Sequence, residues 1–324
     1  MNRDRTDLTD FVRSTVIPGG PIVVLESTVI AQGLPWPDNL ETANRMEQAV
    51  RHAGADPATI GVLDGVARVG LGIPEIERLA RPITAPPGIV PRNAIEPAQG
   101  PIRKANRRDL AAILARRGSA ATTVSATIWL ARRAGIDPCV MATGGLGGVH
   151  RGAGTTFDVS TDLDELAQAS GSVVICSGFK SILDLPATLE VLETRGILLV
   201  GYRTGELPAF TSIGSGLSIE HRVDDPTEAA EMIRWHRRLE TPGAVVLVQP
   251  VPEAVAIDRD EMESALDDAL REAANLGVVG KGITPFLLDR IRQATSGKSL
   301  RANMALLVEN ARLAGEIAVK LADR

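Results

Sequence analysis

Short apolar segments rich in β-branched residues alternate with longer amphipathic segments along most of the chain. The apolar segments lie near residues 22–27, 59–65, 139–145, 173–178, 197–202 and 245–250. Apolar residues at helical spacing fill intervening segments such as 39–54, 161–170, 224–240 and 259–277. This alternation is typical of parallel strands joined by helices on both faces of one sheet. The pattern therefore predicts an α/β fold, built as a single domain over residues 1–324 around a mostly parallel central sheet.

Two stretches depart from this alternation. Residues 80–103 are proline-rich and predict a long irregular excursion, which in a compact enzyme is either a lid or a disordered segment. Residues 284–322 predict a wholly helical end of the chain, suited to packing across the sheet or between subunits.

Composition and charge exclude several classes of protein. With 44% hydrophobic and 23% charged residues, the chain can bury a large core and needs neither disulfides nor a metal to fold. Its net charge of −5 argues against a nucleic-acid partner but leaves room for a small phosphorylated ligand. The charged N-terminus and the lack of a long apolar run indicate a cytoplasmic protein with no membrane partner. Cys139 and Cys176 lie in apolar runs, and we expect both to stay reduced.

Two phosphate-binding signatures are incomplete in this sequence. The run at 296–299 ends like a P-loop, but Arg292 stands where that motif needs its first glycine. The glycine-rich run 142–154 follows an apolar segment, as a dinucleotide fingerprint would, but His150 stands where the third glycine belongs. Its glycines either form tight turns or let the backbone approach a ligand. His150 and Arg151 favour a ligand, because a phosphate binds charge-assisted donors beside free amides.

Charged residues that follow the apolar segments are candidates for chemistry. Lys180 comes just after the segment 173–178, where partial desolvation favours the neutral amine that attacks a carbonyl. The alternative is a solvated lysine at the start of a helix. Glu26 is either an acid with a raised pKa at the end of a buried strand or the partner of a structural arginine. Lys104, taken alone, would belong to a solvated basic run.

A third group of polar residues follows the glycine-rich run. Asp158, Ser160 and Asp162 alternate along the chain, so they lie on one side if the segment is extended. They form either part of a metal site or the cap of the helix that follows.

These segments, taken in order, resemble the pseudouridine-5'-phosphate glycosidase family, which is also described as indigoidine synthase A-like. The motifs that carry the resemblance are LESTVIAQGLPWPDNLETA from Leu25, IGVLDG from Ile60, KANRRDL from Lys104, TTVSAT from Thr122, MATGGLGGVHRG from Met141, TFDVSTDLDEL from Thr156, CSGFKSILD from Cys176, LPAF from Leu207, GKGITPFLL from Gly280 and LRANMALLVENARLAGEIA from Leu300. Several of these motifs are long and unusual, which argues against a chance match.

The resemblance implies a fold, an activity and a cofactor. The fold is an α/β/α sandwich, the assembly a homotrimer and the cofactor a divalent cation, typically Mn²⁺ or another such as Mg²⁺. The activity is reversible cleavage of the C-glycosidic bond of pseudouridine 5'-phosphate to uracil and ribose 5-phosphate. In this reaction the leaving group is bonded to the sugar through carbon. The two carboxylates and the water that an ordinary glycosidase uses do not suffice to cleave such a bond. A covalent adduct between a lysine and the sugar offers a route.

The matched positions imply a role for each candidate residue. Lys180 matches the family's nucleophile, Glu26 its proton donor and Asp158 its metal ligand. The positions matched to substrate contacts are Lys104, Val124, His150, Ser160, Thr161, Asp162 and, for the base, Asn303.

Four features depart from the family's pattern. The proline-rich excursion is longer than usual, Phe179 replaces a small residue, Thr211 an aromatic one and Gly282 an acidic one. One alternative is therefore a C-glycosynthase that uses the same catalytic residues to join ribose 5-phosphate to a non-uracil acceptor. The other is a catalytically silent protein that binds a sugar phosphate or a nucleotide, which the intact acid, lysines and metal-ligand position argue against.

Overall fold

The computed structural model describes residues 11–81, 102–278 and 283–323. Residues 82–101 of the proline-rich excursion lie outside the described residues, and so does Gly282. The strands are β1 (Val12–Ser14), β2 (Ile22–Leu25), β3 (Asp56–Leu63), β4 (Val66–Val69), β5 (Arg103–Ala105), β6 (Ala120–Thr122), β7 (Val140–Ala142), β8 (Val173–Cys176), β9 (Leu198–Tyr202), β10 (His221–Val223) and β11 (Val245–Val248). The helices are α1 (Asp38–His52), α2 (Ile73–Ala80), α3 (Leu110–Ala115), α4 (Val124–Arg133), α5 (Ala153–Thr156), α6 (Thr161–Gln168), α7 (Leu185–Thr194), α8 (Pro226–Arg238), α9 (Arg259–Asn275), α10 (Ile283–Ala294) and α11 (Lys298–Ala322).

The described strands form one sheet in the order β1, β4, β3, β2, β7, β8, β11, β9, β10. From β3 to β10 every neighbouring pair is parallel, which confirms the predicted sheet. Beside β3 the arrangement changes, because β4 and β6 both pair antiparallel with it, and β5 pairs with β6. The hydrophobic pattern did not predict this end of the sheet, because β4, β5 and β6 lie outside the apolar segments on which the prediction was based.

Alternate residues of the central strands face opposite layers of helices. Ile22 and Val24 of β2 belong to a buried cluster shared with α4, α6, α7 and α9. Val23 and Leu25 instead pack with α1, α8 and α11. Each such side chain stabilises the fold by about 1.5–3 kcal/mol on burial. Two helical layers on one sheet form the α/β/α sandwich that the sequence predicts.

The end of the chain is helical, as predicted, but it is divided into two helices. α10 ends at Ala294, and Gly297, with a φ of 77°, precedes α11. α11 has 25 residues and packs against α1 and α8 and against β2, β7 and β8. It therefore crosses the strands whose ends carry the candidate residues. Among the helices of the described ranges, none combines the length and apolarity that crossing a membrane requires.

Both cysteines lie in the core beside the central strands. Cys139 and Cys176 are free and fully buried. Burial raises the pKa of Cys139 to about 11 and that of Cys176 to about 12, because the thiolate would lose its hydration. Both thiols are therefore held in their neutral form.

Candidate active site

The candidate acid and the candidate nucleophile follow parallel strands that lie close together in the sheet. Glu26 comes directly after β2, and Lys180 follows β8 through a short turn. Only β7 lies between these two strands. Because the carboxyl ends of parallel strands meet at one edge of a sheet, the fold brings the two residues together there.

A cavity of about 380 Å³ opens at this edge. We call it the catalytic cavity. Nine of the site residues suggested by the sequence line it: Glu26, Lys104, Val124, His150, Asp158, Ser160, Thr161, Asp162 and Lys180. The fold thus gathers residues from distant parts of the chain into one place, while the role of each stays a prediction.

Glu26 is buried in an environment that favours its protonated form. Its side chain is 8% exposed, and the Thr143 hydroxyl donates a hydrogen bond to Oε1. Burial raises the pKa of Glu26, and nearby Asp162 adds to this effect. The Thr143 hydroxyl and the positive charges of Lys180 and Lys104 act in the opposite direction but do not cancel it. Glu26 can therefore hold a proton closer to neutral pH than an exposed glutamate can.

A tight turn after β8 aims Lys180 into the catalytic cavity. Gly178 has a φ of 82°, and a Cβ there would lie 2.3 Å from the Pro208 carbonyl oxygen. Leu146 pairs with both ends of the turn, donating from its N–H to the Gly178 carbonyl oxygen at 3.0 Å and accepting from the Lys180 N–H at 3.1 Å. Only glycine fits position 178, and the turn places a half-buried amine in the cavity.

The glycine-rich loop packs mainly against protein. A Cβ on Gly147 would lie 2.2 Å from Ser160 Oγ, and one on Gly148 would lie 2.6 Å from Thr188 Oγ1. By contrast, a Cβ on Gly154 would meet nothing within 4 Å. Contact with Ser160 and Thr188 therefore requires glycine at positions 147 and 148, while Gly147 also lines the catalytic cavity, so close approach of this run to a ligand stays a prediction.

Asp162 anchors the loop to two helices. Its Oδ2 accepts from the Gly147 N–H and its Oδ1 from the Ser125 N–H, both at 3.1 Å. Ser160 caps α6 by accepting from the Asp162 N–H at 3.2 Å. The helix-cap interpretation of this segment is therefore correct for Ser160. The residues still line the catalytic cavity, so a substrate contact stays a prediction for them.

Of the two residues expected to bind phosphate together, only one lies in the catalytic cavity. His150 lines it, and burial lowers the pKa of His150, with Lys180 and Lys104 adding to the effect and Asp158 opposing it. Arg151 instead forms an ion pair with Glu263 of α9, with Nη2 and Oε2 3.0 Å apart, and lines a different pocket. The prediction that Arg151 binds phosphate together with His150 was wrong, because the long Arg151 side chain pairs with carboxylates on α9.

Among the lining residues that the sequence analysis missed are Arg108 and Asn106. Arg108 lies in the 3₁₀ turn after β5 and adds a cation to the lining. Asn106 lines it as well, and its buried Oδ1 has no hydrogen-bond partner among the described residues. Both stand in the KANRRDL motif that contains Lys104, so the motif was the available signal. A substrate hydroxyl could donate to Asn106 Oδ1.

The lining fits a metal ion that keeps most of its water. No group of three or more His, Cys, Asp or Glu side chains converges among the described residues. Asp158 is half-buried in the catalytic cavity near His150 and offers one carboxylate. Hard cations such as Mn²⁺ and Mg²⁺ accept oxygen ligands and retain waters. Asp158 could therefore hold such an ion together with water.

Asn303, the residue predicted to contact the base, also lies outside the catalytic cavity. It lines an adjacent pocket of about 300 Å³ with Gln32 and Thr211, and Ile182 lines both spaces. We call this second space the base pocket, after the role that the sequence suggests for Asn303. The buried Thr211 Oγ1 and Gln32 Oε1 have no hydrogen-bond partner among the described residues. Phe179, another departure from the family pattern, is fully buried in the core and lines neither space.

A buried acid and two lysines at the carboxyl edge of a parallel sheet define an α/β enzyme, and comparison with known proteins gives its family. The model described as "Indigoidine synthase A like protein" matches residues 11–320. The chain belongs to this family, which confirms the resemblance seen in the motifs.

Individual relatives narrow the comparison. A pseudouridine-5'-phosphate glycosidase of Caldanaerobacter subterraneus subsp. tengcongensis is 46% identical over 321 residues, covering 99% of this chain and 98% of the relative. One of Paracoccus denitrificans is 48% identical over 302 residues, covering 93% of each chain.

Two crystal structures share the fold. An indigoidine synthase A-like protein of Thermotoga maritima has a TM-score of 0.84 and 39% identity, covering 96% of this chain and 97% of that one. The prealnumycin C-glycosynthase, solved in complex with ribulose 5-phosphate, has a TM-score of 0.82 and 36% identity over the same shares of the two chains.

Proposed function

We propose that this protein catalyses reversible cleavage of pseudouridine 5'-phosphate by water to uracil and ribose 5-phosphate. The observation that carries the proposal is the grouping of Glu26, Lys180 and Lys104 in one cavity. The names of the relatives in Caldanaerobacter and Paracoccus support the substrate.

In the proposed reaction, Glu26 protonates the ring oxygen of the ribose and the ring opens. The Lys180 amine then bonds to the anomeric carbon and loses a proton, which gives a saturated amine adduct that still carries uracil. As the bond between this carbon and C5 of uracil breaks, C5 takes up a proton and the Lys180 nitrogen forms a double bond to the anomeric carbon, which leaves an imine. Water hydrolyses the remaining adduct, which returns the Lys180 amine and releases ribose 5-phosphate.

The environment of Glu26 supports its role as the acid. Burial raises the pKa of the carboxyl, so Glu26 keeps its proton closer to neutral pH than an exposed glutamate does. Lys180 and Lys104 also face it, and their positive charges stabilise the carboxylate that remains after proton transfer.

The positive lining of the catalytic cavity supports a phosphorylated substrate. Lys104 and Arg108 contribute to it, and His150, whose pKa is lowered by burial, lines the same cavity. We propose that Lys104 and Arg108 bind the phosphate, and that Asn106 Oδ1 accepts from a sugar hydroxyl. Asp158 would hold Mn²⁺ or Mg²⁺, whose charge would help to neutralise the phosphate.

The base pocket supports a place for uracil next to the scissile bond. It adjoins the catalytic cavity at Ile182 and is lined by Asn303. An amide side chain can match the alternating donors and acceptors on the edge of uracil. We also propose a cytoplasmic homotrimer, for which sedimentation of the purified protein is the direct measurement.

A second function is favoured by one observation. The prealnumycin C-glycosynthase has the same fold at 36% identity and was solved with a pentulose phosphate. The corresponding function here would join ribose 5-phosphate to a non-uracil acceptor with the same acid and lysine. Only the acceptor in the base pocket would differ.

Incubation with pseudouridine 5'-phosphate and Mn²⁺ tests the proposal, with free uracil and ribose 5-phosphate measured by chromatography. We expect equal amounts of both products, and uracil with ribose 5-phosphate should regenerate the substrate. Failure to release uracil, combined with condensation of ribose 5-phosphate with another acceptor, would support the second function instead.

A further inference from the structure

A buried hydrogen-bonded network lies beside the catalytic cavity and centres on Asn310 of α11. Asn310 Nδ2 donates to the Thr143 carbonyl oxygen at 2.8 Å and to Ser177 Oγ at 3.2 Å. Its Oδ1 accepts from Gln249 Nε2 at 2.8 Å. Thr143, Ser177 and Gln249 directly follow β7, β8 and β11, which are neighbours in the sheet. One amide side chain therefore ties together three adjacent strand ends.

Packing alone does not account for an asparagine at position 310. It is fully buried, and most other buried residues of α11 are Leu, Ala or Ile. A buried amide is costly unless its donors and acceptors are satisfied, and here both ends of the side chain are bonded. Asn303, two turns earlier on the same helix, lines the base pocket. The two buried amides of α11 therefore lie along the sheet edge that carries the site.

The network reaches the candidate acid through Thr143. The carbonyl oxygen of Thr143 accepts from Asn310, and the hydroxyl of the same residue donates to Glu26 Oε1. Fixing the backbone of Thr143 also fixes where its hydroxyl points. Asn310 thus influences Glu26 without touching it.

We infer that Thr143 and Asn310 are positioning residues, which hold the Glu26 carboxyl in the orientation that its proton transfer requires. The inference rests on the proposed function, in which Glu26 is the proton donor. The charged groups that face Glu26 are Lys180, Lys104 and Asp162, and all three are unchanged in the variants below.

The sign of the expected effect follows from the direction of the Thr143 hydrogen bond. Its hydroxyl donates to the carboxylate, which stabilises the charged form and lowers the pKa of Glu26. Removing this donor therefore raises the pKa, and Glu26 stays protonated to higher pH. The rate falls nevertheless, because the carboxyl loses its fixed orientation.

The first measurement follows the ¹³C signal of the Glu26 carboxyl in labelled protein, assigned with Glu26→Gln, and needs no turnover. We expect its titration to move to higher pH in Thr143→Val and in Asn310→Leu, while Thr143→Ser keeps the wild-type titration. The matched control is Asn39→Leu. Asn39 is another buried asparagine, which donates to the backbone carbonyls of Ile30 and Ala80 and not to Thr143. Asn39→Leu should lower the melting temperature without moving the titration.

The second measurement compares kcat and KM for uracil release. Thr143→Val should lower kcat about tenfold with little change in KM, since a charge-assisted hydrogen bond is lost. Asn310→Leu should act in the same direction, and the double variant should lose no more than the worse single one. If Asn310→Leu does not fold, the Val and Ser variants of Thr143 decide the test.

Two outcomes overturn the inference: an unchanged Glu26 titration in Thr143→Val, or losses from Thr143→Val and Asn310→Leu that add. If the wild-type protein releases no uracil, the proposed function is overturned. If the Glu26 titration still shifts as described in the variants, the coupling of Thr143 and Asn310 to Glu26 is supported all the same.

Discussion

Gly147→Ala should destabilise the protein, because the glycine-rich loop meets the start of α6 with no room for a methyl group. The added Cβ would lie 2.2 Å from Ser160 Oγ and 2.6 Å from Ser160 Cβ. Overpacking of this kind costs about 1–3 kcal/mol. Moving Ser160 away would break its cap to the Asp162 N–H, which costs about 1 kcal/mol more. We therefore expect the free energy of unfolding to fall by about 2–4 kcal/mol.

Urea denaturation followed by circular dichroism, at one protein concentration, measures this loss. Gly154→Ala is the matched control, because it changes the same loop at a position with open space around it. Gly147→Ala combined with Ser160→Gly should recover part of the lost stability, since the clashing atoms are gone. The reasoning is refuted if Gly147→Ala is as stable as Gly154→Ala, or if removing the Ser160 side chain gives no recovery.

Three further predictions concern the chemistry of the site. Lys180→Ala and Lys180→Arg should both lose essentially all uracil release. During incubation of the wild-type protein with ribose 5-phosphate, borohydride should fix a sugar-phosphate mass on the peptide that contains Lys180, and both variants should lack this mass. An adduct on Lys104 instead would make Lys104 the nucleophile. Chelation should abolish turnover and Mn²⁺ should restore it, whereas Asp158→Asn should need far more Mn²⁺; full activity in verified metal-free protein would remove Asp158 from this role. Arg108→Ala should raise KM for pseudouridine 5'-phosphate at least tenfold, whereas Arg151→Ala should change KM little. Equal effects of the two variants on KM would contradict the placement of Arg108 inside the catalytic cavity and of Arg151 outside it.

The sequence predicted the parts of the fold that depend on local pattern. The predicted apolar segments correspond to the parallel strands β2, β3, β7, β8, β9 and β11. They could be recognised because a strand buried on both faces is a continuous apolar run in the sequence. The grouping of Glu26 and Lys180 followed from the same pattern, because the ends of parallel strands share one edge. The antiparallel end of the sheet did not follow, since β4 and β6 lie outside the apolar segments from which the strands were predicted.

The errors at the site have a similar physical origin. Arg151 was placed by its neighbour in sequence, but a long side chain on a loop goes where partners are, and Glu263 lies 112 residues away. Gly147 lines the catalytic cavity, but the sequence could not show that Ser160 also leaves no room for a side chain at this position. Asn310 carried no signal for its contacts, because a polar residue in an apolar helix reveals its partners only when the strands are in place.

The two buried cysteines make the protein well suited to site-specific labelling. The chain has only Cys139 and Cys176, and both are fully buried with raised pKa values, so an alkylating reagent meets no thiolate at neutral pH. A single cysteine introduced on the surface, for example at exposed Phe157 on the rim of the catalytic cavity, would therefore be the one thiol that reacts. A fluorophore attached there could report substrate binding in the otherwise unaltered chain.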